Sequence, residues 1–270
     1  MGNVDYKRNR NARALNRFFI RYVENILRSY CKIASQNPIA IALILSIESS
    51  TEVCSVALAH DGHLLALAET QERNAHSRML TILIGRVMRE ADRRLDELDA
   101  VALSSGPGSY TSLRVGASTA KGICFALNKP LLAIDTLRAL ADGVRRQEIP
   151  EAATIIPMID ARRMEVYCSV YDEQMNLLQK KWAEVVTEGS FGTFFAFDKP
   201  VIFTGNGADK CRSVLTAPLA RFAPLSCSAR YLVPLAETDF RENCTVDAAY
   251  FTPEYVKQPY ITTPRKRSLR

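Results

Sequence analysis

The stretch LSSGPGSYTSLRVGASTAKG, residues 103–122, carries the densest cluster of side chains able to do chemistry. An apolar run ends in Gly106, Pro107 and Gly108 and passes into a segment dotted with small and hydroxyl residues. Glycine-rich turns ahead of a helix often cradle phosphate. Here the GxxxxGK[ST] spacing is missing, and a tight turn with Ser109 or Thr111 capping the helix explains the same residues. Behind the turn, Ser112, Gly116, Ala120 and Cys124 recur every four residues, a stripe of small side chains along one helix face. Metal chemistry has little to work with, because the only histidines are His60, His63 and His76, with no carboxylate set at ligand spacing beside them. The seven cysteines are odd in number and contain no CxxC pair, which suggests neither a zinc site nor a disulfide framework and fits a reducing cytoplasm.

The elements around this stretch follow from hydrophobic pattern and turn residues. IALILSIE and VCSVALA read as strands, and Asp61-Gly62 supplies a type I′ hairpin turn into LLALAE, so three antiparallel strands are expected. Asn74 is placed as the cap of a long helix ending near Ala91; LDAVALSS is the next strand, and the helix after GPGSY runs to about Leu127. PLLAID gives a fifth strand before the helix TLRALADGVRRQ. The helix from 74 to 91 carries Met79, Leu80, Ile82, Leu83, Ile84, Val87 and Met88, a surface broader than one stripe facing its own sheet. Either the two helices pack on each other and on the sheet, or part of their surface meets a partner.

The 270 residues suffice for two domains of ordinary size, and 47% hydrophobic with 24% charged residues is a globular balance. The net charge of +6 sits at the ends. Residues 1–37 hold eight basic against two acidic side chains, and five basic residues with no acid follow from Lys257 onward, so the body between is mildly acidic. In the N-terminal segment Leu15, Phe18, Phe19, Tyr22, Val23, Ile26, Leu27 and Tyr30 fall at helical spacing opposite arginines. That amphipathic pattern docks on a partner or membrane surface, packs on its own protein, or lies upstream of the fold; the last two are preferred. No secretory signal is visible, and IAIALILSI at 39–47 is short of the roughly 20 residues a membrane span needs.

The two halves echo each other. ILSIESSTEVCSVA at 44–57 and IIPMIDARRMEVYCSVY at 155–171 each run an apolar strand into a carboxylate, Glu48 or Asp160, then a short turn, then "EV" leading into "CSV". An internal duplication is the reading, with boundaries of 1–38 for a basic extension, 39–148 and 149–256 for two domains, and 257–270 for a basic tail. This α/β plan, two actin-like (ribonuclease H-like) domains with mixed sheets, is that of the actin-like ATPase, sugar kinase and Hsp70 superfamily. Within it, SSGPGSYTSLRVGASTAKGICFALNKPLLAIDTLRALA and PMIDARRMEVY closely resemble the TsaB (YeaZ) family, the non-catalytic paralogues of TsaD in tRNA threonylcarbamoyladenosine biosynthesis. The resemblance covers about residues 42–210.

That resemblance implies several things. TsaD-like proteins bind a metal through two histidines four apart, where this chain has Leu140 and Val144, so no metal is expected here. The superfamily grips ATP phosphates with both hairpin turns and holds magnesium through nearby carboxylates. Glu48, Ser49, Ser50, Thr51, Asp160 and Arg163 are therefore a candidate vestigial phosphate turn. Ala161, Arg162, Arg163 and Met164 stand where close phosphate approach favours glycine, and a salt bridge across the cleft from Arg162 or Arg163 to a carboxylate such as Glu48 is the preferred alternative. GNGA at 205–208 is weak evidence for an adenosine site. No cofactor is expected in the isolated chain. In TsaB-like proteins the helix pair bundles with the same pair of TsaD, which makes His76, Leu80, Leu83, Ile84, Val87, Ser112, Arg114, Gly116, Ala120 and Ile123 candidate interface residues. The implied function is a cytoplasmic, non-enzymatic dimerisation subunit supporting TsaD, with TsaE at the same assembly, tRNA reached through the complex and a homodimer when alone. The alternative is a stand-alone metallopeptidase or small-molecule kinase, and direct tRNA binding by the tail KQPYITTPRKRSLR is a third reading.

Overall fold

A computed structural model describes residues 41–72, 74–147, 152–196 and 198–257. The N-terminal extension to residue 40 and the tail beyond 257 lie outside the described residues. The first sheet is built from β1 (Leu43–Glu48), β2 (Cys54–His60), β3 (His63–Thr70), β4 (Ala100–Ser104) and β5 (Leu131–Ile134), in the order β3-β2-β1-β4-β5. β1 pairs antiparallel with β2 and parallel with β4, so the sheet is mixed, as expected. The β2–β3 turn has Asp61 at φ 50° and Gly62 at φ 72°, the two positive values a type I′ turn demands.

The helices α1 (His76–Glu90) and α2 (Tyr110–Leu127) lie on one face of this sheet; α3 (Thr136–Arg145) lies on the other. β1 is buried on both sides and reads as an unbroken apolar run for that reason. Leu43, Leu45 and Ile47 meet α1 and α2, while Ala42 and Ile44 meet α3 and the helix α5 (Val233–Arg241). Ser109 caps α2 by accepting from Ser112 N, and Asp135 caps α3 by accepting from Arg138 N at 3.0 Å. Asn74 does not cap α1. It is in the left-handed region at φ 57°, which places Ala75 at the N-cap with no side-chain bond.

The second sheet repeats the first: β6 (Thr154–Asp160), β7 (Glu165–Tyr171), β8 (Leu177–Val185), β9 (Val201–Thr204) and β10 (Ala220–Ala223), in the order β10-β9-β6-β7-β8. Numbered within its own half, each sheet reads 3-2-1-4-5, which is the duplication seen in the sequence. Between the sheets runs α3, buried nearly all round. Ala139 packs on the first sheet, Ala141 and Val144 on Ile155 and Ile202 of the second, and Leu137 and Leu140 on Ile159. After β10 the chain returns to the first sheet, where Leu232, Leu235 and Ala236 cover Ile44 and Leu132, and Val246 N donates to Leu131 O at 2.9 Å. Packing thus groups the residues after 228 with the first sheet.

Candidate functional site

Two surfaces collect the residues singled out by sequence: the cleft between the sheets, and the outer face of α1 and α2. The cleft has a volume of about 920 Å³ and is lined by the β1–β2 turn (Ser50–Glu52), the β6–β7 turn (Asp160–Arg162), the start of α2 and the segment Glu254–Lys257. Both duplicated turns therefore border one space, but only Asp160 of the two carboxylates lines it, and the turns are built differently.

At the first turn three backbone groups already have partners within the chain. Ser49 N donates to Ser104 Oγ at 3.2 Å, Ser50 N to the Glu48 carboxylate at 2.6 Å, and the Ser50 carbonyl accepts Ser109 N at 2.6 Å. The GPGS loop closes onto this turn so tightly that a Cβ on Gly108 would overlap the Ser50 carbonyl, which explains glycine there without any phosphate. Glu48 is only 1% exposed, and burial pushes its carboxyl above the usual range against hydrogen bonds from Ser50, Ser104 and Ser49. Thr51 is buried beside it. Cys227, also fully buried here, has a thiol pushed well up by burial and then by the Glu48 charge, so it is no nucleophile.

At the second turn Asp160 N donates to Asn206 Oδ1 at 3.0 Å, Arg162 N to Asp160 Oδ1 at 2.8 Å, and Ala161 N to Glu165 O at 3.0 Å. The Asp160 carboxylate also pairs with Lys210, whose ammonium bonds the carbonyls of Arg163 and Glu165 as well. Arg162 and Arg163 are exposed, at φ 71° and 51°, and among the described residues neither forms an ion pair. The expected bridge from them to Glu48 is corrected: Glu48 is sealed under its own turn and out of their reach. Asn206, from the GNGA turn, bridges the cleft instead, with its Nδ2 donating to Glu52 at 2.9 Å. A side-chain amide inside a weak motif gave no sequence signal for this role.

Tested against these bonds, the turns do not fit the superfamily's way of holding ATP, because the Ser49, Ser50, Asp160, Ala161 and Arg162 amides and both carboxylates are engaged within the chain. Leu140 and Val144, at the metal-binding positions of TsaD-like proteins, are 1% and 0% exposed in apolar surroundings. No group of three or more histidine, cysteine or acidic side chains among the described residues has metal-binding spacing.

The helix pair corrects most of the expected interface. Leu80, Leu83, Ile84 and Val87 are buried against the chain's own sheet, as are Gly116 and Ala120. A Cβ on Gly116 would overlap the Ser49 hydroxyl, so the small-residue stripe exists to seat α2 on β1 and its turn. His76 is buried at the first position of α1; burial pushes its imidazole down, against the Val53 and Thr51 carbonyls and Glu52. Ile123 is partly buried and packs on the same core. Of the expected interface residues only Arg114 is exposed, its guanidinium stacked 4.0 Å over Tyr110, with Ser112 half-buried. The surface actually turned outward is a different one. It holds Ile82 at 53% and Phe125 at 91% exposure, with Gly85 and Gly122 beside which a Cβ would meet only open space. A shallow groove of about 450 Å³ lies between Ser77 at the start of α1 and Arg114, Val115 and Ser118 of α2. The apolar breadth of α1 seen in sequence thus resolves into one buried stripe plus Ile82.

Residues 68–260 match the family described as TsaD: tRNA N6-adenosine threonylcarbamoyltransferase. The chain is 28% identical over 224 residues to the tRNA threonylcarbamoyladenosine biosynthesis protein TsaB of Haemophilus influenzae, covering 79% of this chain and 93% of that one. It is 33% identical over 133 residues to the TsaB of Escherichia coli, covering 49% and 56%. Among solved structures, a Pseudomonas aeruginosa protein described as similar to peptidase YEAZ superposes with a TM-score of 0.71 at 28% identity, covering 80% of this chain and all of that one.

Proposed function

The chain belongs to the family of TsaD, tRNA N6-adenosine threonylcarbamoyltransferase, in which it resembles TsaB proteins over 79% of its length, and from this premise we propose that it is an accessory subunit that docks on a TsaD-type catalyst in the making of threonylcarbamoyladenosine in tRNA. The observation that carries the reading is the outward face of α1 and α2. A phenylalanine at 91% exposure, three residues past Gly122 where a Cβ would meet only open space, offers a site for contact with another helix. In this reading the chain holds no nucleotide or metal of its own, because its hairpin turns are closed by internal bonds; ATP and metal belong to the partners, TsaD and TsaE. tRNA is met through the assembly in the cytoplasm, and the same face pairs two copies when TsaD is missing. No helix among the described residues is long and apolar enough to cross a membrane.

The test is Phe125→Glu and Gly122→Leu, each assayed for affinity to the TsaD of the same organism and for thermal melting. Overpacking and charge burial at a contact of this kind weaken pairing by about tenfold or more, since 1–3 kcal/mol is typical for one overpacked site. Melting stays where it was because neither side chain supports the monomer. Unchanged affinity in both variants sinks the docking face.

A further inference from the structure

We propose that residues 252–257 form a strap that clasps the mouth of the cleft and holds the two sheets at one angle, with Lys181 as its anchor on the far side. Up to Glu254 this segment belongs to the first sheet. The Lys121 ammonium bonds the carbonyls of Ala249 at 3.0 Å and Phe251 at 3.1 Å, and Glu254 N donates to Ser105 O at 2.8 Å. The fit is close, for a Cβ on Gly106 would lie 2.6 Å from the Glu254 carbonyl, and the Tyr255 ring packs at a tilt against Tyr110 with centroids 4.7 Å apart. From there the side chains cross to the second sheet. Glu254 pairs with Lys181 on β8, and Lys257 pairs with Glu165 at the start of β7.

Lys181 is what makes this a clasp rather than a chance surface contact. Its ammonium also meets Asp135, the cap of α3, at 2.6 Å, so one lysine of the second sheet is tied to two carboxylates of the first. Exposed ion pairs contribute little because water and salt screen them. Lys181 and Asp135, at 28% and 25% side-chain exposure, are screened less. Burial alone would pull the ammonium down, yet the Asp135 and Glu254 charges raise it, so it stays charged. Together with the Asn206–Glu52 bond at the cleft and α3 between the sheets, the strap makes the two-sheet body rigid, unlike a cleft that opens and shuts around a ligand. This inference is independent of docking on TsaD and is tested on the isolated chain.

Hydrogen exchange of the full chain reads it directly, comparing the wild type with Lys181→Met, Lys181→Arg and Glu254→Gln. Lys181→Met should raise exchange at the 49–53 and 160–166 turns by about fivefold, the worth of an ion pair near 1 kcal/mol. Glu254→Gln should give a smaller rise at the same turns, Lys181→Arg should restore the wild-type pattern, and added salt should loosen the wild type in the same places. Unchanged exchange at both turns in Lys181→Met overturns the proposal. So does a rise spread through β7 and β8 that Lys181→Arg does not repair, because that marks loss of local folding rather than release of a clasp.

Discussion

The two halves share a sheet and differ in what covers it. Where the first has α1, of 15 residues, between its third and fourth strands, the second has the single turn α4 (Gly192–Phe195). Where the first has α2, of 18 residues, the second has one 3-10 turn at Asp209–Cys211. Aromatic rings make up the difference: Phe191, Phe195 and Phe222 surround Phe203 at centroid distances of 5.3–6.2 Å. A duplicated fold can thus lose helices if large side chains close the exposed face of its sheet, and the half that keeps them retains a helical surface to present outward. The largest expected effect tests this division of labour. Phe203→Ala leaves three rings without their centre and should cost about 3–5 kcal/mol, read by denaturant unfolding. A cost below 1 kcal/mol would mean that the rings do not replace the missing helices.

The second test concerns which glycine of α2 serves which surface. Gly116→Leu forces a side chain into the Ser49 turn and should destabilise the monomer by about 1–3 kcal/mol or more, whereas Gly122→Leu should leave melting unchanged. Equal melting for the two variants would break the distinction between the seated and the outward faces of α2.

That distinction shows where sequence reasoning stops. The succession of strands and helices, the Asp-Gly turn and a hydroxyl cap on α2 were legible because each depends on residues close together in the chain, and the repeat because each half carries its own local copy of the pattern. A four-residue spacing of small side chains was legible too, but only as one face of a helix, and nothing local says whether that face meets its own sheet or another molecule. Gly116 and Gly122 differ only in what stands opposite them, Ser49 from 67 positions upstream in one case and open space in the other. The cleft failed in the same way. Arg162 and Arg163 carry the conspicuous charge, but the residues that bridge the halves are Asn206, Lys181 and Glu254, which sit in unremarkable sequence and acquire their roles from the approach of distant segments.

The smallest expected effect sharpens the contrast between the two carboxylates at the duplicated turns. Glu48 is buried, with its carboxyl raised by desolvation, while Asp160 is 43% exposed at its side chain and pairs with Lys210. A carboxyl whose folded pKa lies above its unfolded value holds its proton more tightly when folded. Its contribution is present below the unfolded value of about 4.5 and is lost as pH rises through the folded value. Glu48→Gln keeps an acceptor for Ser50 N and cannot ionise, so it should be about as stable as the wild type at low pH and gain on it steadily as the pH is raised above about 4.5. Asp160→Asn, by contrast, removes an exposed ion pair and should change stability by less than about 1 kcal/mol. Unfolding curves for the two variants between acid and neutral pH decide the matter: if Glu48→Gln fails to gain on the wild type with rising pH, then the hydrogen bonds from Ser50 and Ser104 outweigh burial, and the first turn holds Glu48 as a stable anion.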